Sequence, residues 1–286
     1  MEVEKLTPVS EVCRNCSNRF EANFCNICGE KKYNPHNKSM AHFFHESLHF
    51  ITHLDGRFLR SLKLVFLRPG FLSSEISKGV SKKYFPPLNL FLIGVLLYLL
   101  FPILQGLNMP LSGHLTQPYT FIIKPIVADK LQNTGMTPEL MASKFQAISP
   151  KIAKLLLLII IPIAAAALAV LFWKRKQYFY DHLILSTEIN TFYLYFTYFF
   201  IPLFFDLVSL ILQLFNQHVY FDIGDRITLP SYLVIFACYC FLAFRRFYLE
   251  NIWITLLKSI LFLILHAFIV YVLYKLVLVF IVLLFI

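Results

Sequence analysis

An all-α integral membrane protein is the fold class this sequence predicts, and three observations predict it. Of 286 residues, 58% are hydrophobic and only 15% charged, more apolar side chain than a soluble domain of this length can enclose. Apolar runs long enough to cross a bilayer recur through residues 88–286. Lys and Arg gather at alternate ends of those runs. The expected architecture is about five transmembrane helices, preceded by a small Cys-rich ribbon and an amphipathic interfacial helix. The corresponding parts are residues 1–32, 33–87 and 88–286.

The first twelve residues are polar and lack an apolar stretch, so no cleavable signal peptide is expected and the first span must direct insertion. Residues 13–30 read CRNCSNRFEANFCNICGE. Two C-x-x-C knuckles, Cys13/Cys16 and Cys25/Cys28, can each present two thiolates to one ion, and together they complete a tetrahedral S₄ site. A segment this short needs a metal to fold. Zn²⁺ is the expected cofactor, and four protein ligands make it structural rather than catalytic. Cys238 and Cys240 lie inside an apolar run and are expected to pack as small hydrophobes.

Residues 31–39 form a polar linker with Asn-Pro turn chemistry, and Ser39 suits a helix N-cap. At about 100° per residue, His42, His45, His49 and His53 share one arc, extended by Glu46, Arg57, Arg60 and Lys63. Phe and Leu side chains fill the opposite side, among them Phe58, Leu59 and Leu62. Such a helix suits a membrane interface, with Arg57, Arg60, Lys63, Lys82 and Lys83 towards headgroups. Asp55-Gly56 is read as an N-cap and a break into two helices.

His45-Glu46-Ser47-Leu48-His49 also fits H-E-x-x-H, in which two imidazoles share one zinc and the Glu activates its water. His53, Asp55 or Glu75 would have to supply a third ligand. Three readings stand: a zinc hydrolase using Glu46, a second metal site at His45, His49 and His53 without catalysis, or a solvated His face whose spacing follows the helix period.

That helix pair is expected to end near Leu67, where Arg68-Pro69-Gly70 cannot continue it. A short helix over about 71–78 closes at Gly79. Lys82-Lys83-Tyr84-Phe85-Pro86-Pro87 then leads into the bilayer: cations, interfacial aromatics, and prolines at a helix start. Spans are expected at about 88–104, 152–173, 183–215, 230–244 and 255–286, the third kinked at Pro202 or extended along the interface. The loop 105–151 reads as polar, with one short helix around 138–147.

Placing Lys82-Lys83, Lys174-Arg175-Lys176 and Arg245-Arg246 inside leaves eighteen of the 26 Lys and Arg cytoplasmic. The N-terminus is then cytoplasmic and the C-terminus outside. The formal charge of +10 bears on this topology; no base-reading motif accompanies it, so no nucleic-acid partner is expected. Glu188, Asp206, Lys258, His266 and Lys275 fall within spans and need partners. Counting helical rise suggests Glu188 with Lys258 and Asp206 with Lys275; a pathway through Glu188 and His266 is the alternative.

In order along the chain, the two C-x-x-C knuckles, His45/His49, His53-Leu54-Asp55, Arg68-Pro69-Gly70 and Lys82-Lys83-Tyr84-Phe85-Pro86 resemble a family of bacterial multi-pass membrane proteins known as a domain of unknown function. Tyr178-Phe179-Tyr180-Asp181-His182-Leu183 and Arg245-Arg246-Phe247-Tyr248 are similar to that family's approaches to later spans. Glu30 stands where many relatives have Gln, and Asp181 where Glu is usual. The resemblance implies an architecture in the bacterial cytoplasmic membrane and no activity. The expected function is non-enzymatic: a ribbon that docks a protein partner or senses the bilayer surface. A metallohydrolase and a transporter or channel are the alternatives.

Overall fold

The computed structural model describes residues 11–32, 56–100, 109–214 and 228–286. The ribbon opens with strands β1 (Glu11–Val12) and β2 (Arg19–Phe20), antiparallel with Glu11 opposite Phe20. Phe20 packs under Cys13 and Cys25 in a core separate from that of the helices.

The helical part begins with α1 (Gly56–Leu67), α2 (Phe71–Ser77) and α3 (Pro87–Leu100). After them come α4 (Leu111–His114), α5 (Thr120–Thr134), α6 (Pro138–Leu156) and α7 (Ile160–Leu171). The last five are α8 (Phe179–Tyr195), α9 (Ile201–Leu214), α10 (Thr228–Tyr248), α11 (Ile252–Phe268) and α12 (Tyr274–Phe285). Among the described residues three continuous helices are long and apolar enough to cross a membrane: Pro138–Leu171, Phe179–Gln213 and Ile252–Phe285, of 34, 35 and 34 residues. At 1.5 Å per residue each runs to about 50 Å, well beyond a hydrocarbon core of about 30 Å. The other two expected spans, 88–104 and 230–244, fall on α3, of 14 residues, and α10, of 21.

Prolines change the local turn of these helices without ending them. Pro162 has no N–H for Leu158 O, and residues Leu157–Ile159 tighten into a 3₁₀ turn there. Pro202 likewise offers nothing to Tyr198, which lies in the π turn Phe196–Phe200. The expected long third span is thus one helix with a widened turn. The expected polar loop before residue 152 is mostly helix instead. Thr137 Oγ1 accepts the Leu140 N–H at 3.3 Å, Pro138 occupies the first turn, and α6 runs on through Pro150 into α7.

The axis of the molecule is α8, buried at every residue from Asp181 to Tyr195. A helix covered on all sides must carry its polar groups inward and satisfy them there. Helices α2, α3 and α7 pack directly on it. Helix α3 comes close because Gly94 has no side chain: a Cβ there would lie 2.6 Å from Tyr195 Cε2. From α10, Tyr239 stacks on Phe192 at 3.8 Å between ring centroids.

Candidate metal centre

The cysteine spacing folds each knuckle into the same turn. Ser17 N donates to Cys13 O at 2.9 Å, and Gly29 N donates to Cys25 O at 2.8 Å. Each turn closes on a left-handed residue, Ser17 at φ 60° and Gly29 at φ 70°. The Cys13, Cys16, Cys25 and Cys28 sulfurs lie within 4.8 Å of one another. Across the knuckles, Cys13 Sγ is 3.5 Å from Cys28 Sγ, and Cys16 Sγ 3.5 Å from Cys25 Sγ. A disulfide needs about 2.05 Å, so all are free thiols. A tetrahedral metal with bonds of about 2.3 Å sets its sulfurs about 3.8 Å apart, which this cluster fits.

The electrostatics favour the same occupant class. Backbone N–H groups of Cys28 and Ile27 aim at Cys25 and hold its thiol low, at about 6, against the effect of burial. At Cys16 the backbone hydrogen bond with Asn18 favours the thiolate, yet burial and the neighbouring sulfurs outweigh it and push the thiol up to about 12. Crowded sulfurs cannot all ionise alone; a cation among them removes the conflict.

Directly after the second knuckle comes Glu30, 3% exposed. Its Oε1 accepts the Ser81 hydroxyl at 2.6 Å, and its Oε2 accepts Ser81 N at 3.1 Å and Lys82 N at 2.9 Å. Arg14 adds a bond to Lys78 O at 2.5 Å. The ribbon is therefore clamped to the turn between α2 and α3. Helix α2, which leads into that turn, is itself fixed to α8, whose Asp181, Ile184 and Glu188 face it along one side. Ser77 Oγ donates to Asp181 at 2.7 Å, Ser73 Oγ to Ile184 O at 3.3 Å, and Gly70 N and Ser73 N to Glu188 at 2.8 and 2.7 Å. Arg246, near the end of α10, donates to Pro69 O.

A second polar cluster closes the same end. Glu250 receives Arg175 Nε at 3.1 Å, and its two oxygens lie 2.9 and 2.8 Å from Lys258 Nζ. Burial alone would raise the Glu250 carboxyl, but the hydrogen bonds from Lys258 and Arg175 outweigh it and hold it below its ordinary value. Lys258 also sits 4.3 Å from the Phe172 ring centroid. The turns at 68–70, 78–83, 174–176 and 245–250 thus meet, with the ribbon, at one end of the helices.

The expected pairing of Glu188 with Lys258 does not form: Glu188 turns to α2, Lys258 to Glu250. Asp206 is exposed and Lys275 buried, 5.7 Å from the Tyr271 centroid, and among the described residues they make no ion pair. His266 Nε2 meets Asn190 Oδ1 at 3.1 Å inside the bundle. Arg57 lines a cleft under the ribbon, and Arg60 and Lys63 are exposed beside Leu59 and Leu67. Lys82 uses its backbone on Glu30, and Lys83 Nζ lies 5.6 Å from the Tyr84 centroid. Cys240 is fully buried and Cys238 exposed. His45, Glu46, His49 and His53 lie outside the described residues.

Glu30, Ser73, Ser77, Glu250 and Arg175 carry this arrangement and were not expected to. One signal was present: Asp181 and Glu188 are seven apart on α8, and Ser73 and Ser77 four apart on α2, so both sets recur on one helical face.

The family described as "Protein of unknown function (DUF3667)" matches residues 55–99, from the start of α1 into α3. The match takes in the Arg68-Pro69-Gly70 turn, Ser73 and the Ser81–Lys82 dock. No curated protein and no solved structure matches the chain.

Proposed function

We propose that this chain is a non-enzymatic integral membrane protein of a bacterial cytoplasmic membrane. In this reading a structural zinc ribbon, held at the cytoplasmic face, docks a protein partner or senses the bilayer surface. The observation that carries it is the clamp of Glu30 on Ser81 and Lys82. A freely tethered ribbon would need no such bond; a clamped one moves with the helices, so an event at the ribbon is felt at α2 and α8. The Cys₄ set supports a structural role, since it fills all four positions of a tetrahedral ion.

Five crossings fit the same picture. Helices α3, α8 and α11 start, and α7 and α10 finish, at the ribbon end, where the basic turns collect; the positive-inside rule then makes that end cytoplasmic. Single cysteines introduced at Lys176 and Gln132, with Cys238 and Cys240 replaced by Ser, test this in intact cells with a membrane-impermeant thiol reagent. Labelling at position 132 and protection at 176 is the expected pattern. The reverse would place the ribbon outside and end the cytoplasmic reading.

A further inference from the structure

Between the ribbon and the first helices lies a cleft of about 290 Å³. Its walls include Phe24 and Lys31 from the ribbon, Arg57 from α1, and Lys82, Tyr84 and Phe85 from the turn leading into α3. Among the described residues three cations and three aromatic rings line it, and no acid does. Glu30, the acid of the dock, is outside this lining and has both oxygens engaged by Ser81 and Lys82. Among the described residues Lys31 and Lys82 form no ion pair through their ammonium groups. Lys and Arg residues around one cleft suit a phosphate, which takes several charge-assisted hydrogen bonds at once.

The aromatic walls say more. Tyr84 and Phe85 are buried, at 3% and 1%, and close the cleft from the helix side, whereas Phe24 stays exposed on the ribbon side, and a free phosphate has no use for an exposed ring. The ribbon exposes Phe24, at the cleft, and Ile27, at 54% and 69%, and α1 exposes Leu59 and Leu67, at 68% and 67%. Exposed apolar side chains beside Arg60 and Lys63 belong against a bilayer surface rather than in water. We propose that this cleft binds the phosphate headgroup of an anionic membrane lipid, with Lys31, Arg57 and Lys82 around the phosphate and Phe24 against the glycerol and first acyl carbons. A zwitterionic headgroup is disfavoured because it brings its own cation to a basic cleft. The proposal rests on the reading above that the ribbon end meets a membrane surface.

Full-length protein in uncharged detergent is the material for the test, with metal content measured for every preparation. Short-chain phosphatidylglycerol below its micellar concentration, the matching phosphatidylcholine and inorganic phosphate are titrated separately, and bound molecules are counted by native mass spectrometry. One phosphatidylglycerol per chain is expected, with the other two at least about tenfold weaker. Lys31→Gln with Lys82→Gln should weaken that binding about tenfold, as should Arg57→Gln, which leaves the ribbon untouched. Lys174→Gln with Lys176→Gln, at the same end but outside the cleft, should leave it unchanged. Equal binding of phosphatidylcholine would overturn the proposal, as would inorganic phosphate binding as tightly as the lipid. So would unchanged binding in Arg57→Gln with full metal content. Because detergent has no sides, a failed topology experiment would leave these results standing, and the reverse holds too.

Discussion

Ser73 and Glu188 are 115 positions apart in the chain, yet Ser73 gives Glu188 Oε2 both its backbone N–H, at 2.7 Å, and its hydroxyl. Gly70 N fills the other oxygen at 2.8 Å. A seven-residue helix is too short to persist alone, and its first N–H groups have no partners within it. Glu188 supplies them from the fully buried interior of α8. Glu188→Gln should therefore cost about 2–3 kcal/mol, because an amide turns a donor towards donors. Thermal unfolding in detergent reads this as a lower Tm, with Asp206→Asn, on an exposed position, within about 0.5 kcal/mol of the parent. Equal Tm values for both variants would refute the capping role.

Gly70→Ala should be worse than an ordinary turn substitution. Gly70 has φ 72°, and a Cβ there would lie 2.6 Å from Ala243 O and 2.8 Å from Ala243 Cα. Left-handed backbone alone costs an L-residue about 1–2 kcal/mol. Here the obstructing atoms are main chain and cannot swing away, so α2 must also lift off α10. The expected outcome is loss of folded protein on size-exclusion chromatography, or a Tm below that of Glu188→Gln. A variant that melts like the parent would mean this turn is not packed as described.

Glu250 links stability to pH. Its folded carboxyl lies below its ordinary value, so its contribution is fully present above the unfolded value of about 4.3 and fades as pH falls through the folded one. Glu250→Gln should be less stable than the parent at pH 7, by about 1–3 kcal/mol for losing two charged partners, and the gap should close in acid. Chemical unfolding followed between pH 7 and 3 tests this. A gap that stays constant would show that Arg175 and Lys258 do not act through the charge.

The ribbon dock makes a separate prediction. Glu30→Ala removes the acceptor for three donors but no cysteine. Amide hydrogen exchange should quicken at residues 79–82 while metal content stays that of the parent. Unchanged exchange there would mean that the clamp does not hold the ribbon to the helices.

The ribbon was legible because four thiolates at knuckle spacing admit few other uses, and the ends of α1 and α2 because Arg68-Pro69-Gly70 and Gly79 stop helices by their backbone chemistry. Depth along a helix can be counted from the sequence, but depth is not direction. Glu188 and Lys258 sit at similar heights, yet the side chains face different neighbours, and only packing decides that. Helix α5 stayed hidden because its apolar residues follow no clear face and Pro125 lies inside it. Continuation of α6 through Pro150 was hidden for a similar reason: one missing N–H is tolerated when both flanks are already helical. Glu30 gave no sign at all, since a lone acid after a knuckle looks like any surface residue until its dock is known.

The metal centre bears the most weight, and X-ray absorption at the zinc edge tests it directly on full-length protein purified without added metal. One zinc per chain with four sulfur neighbours at about 2.3 Å is the expected result, lost in Cys25→Ser. Protein carrying a disulfide among Cys13, Cys16, Cys25 and Cys28, or zinc whose shell contains nitrogen or oxygen ligands, would contradict it.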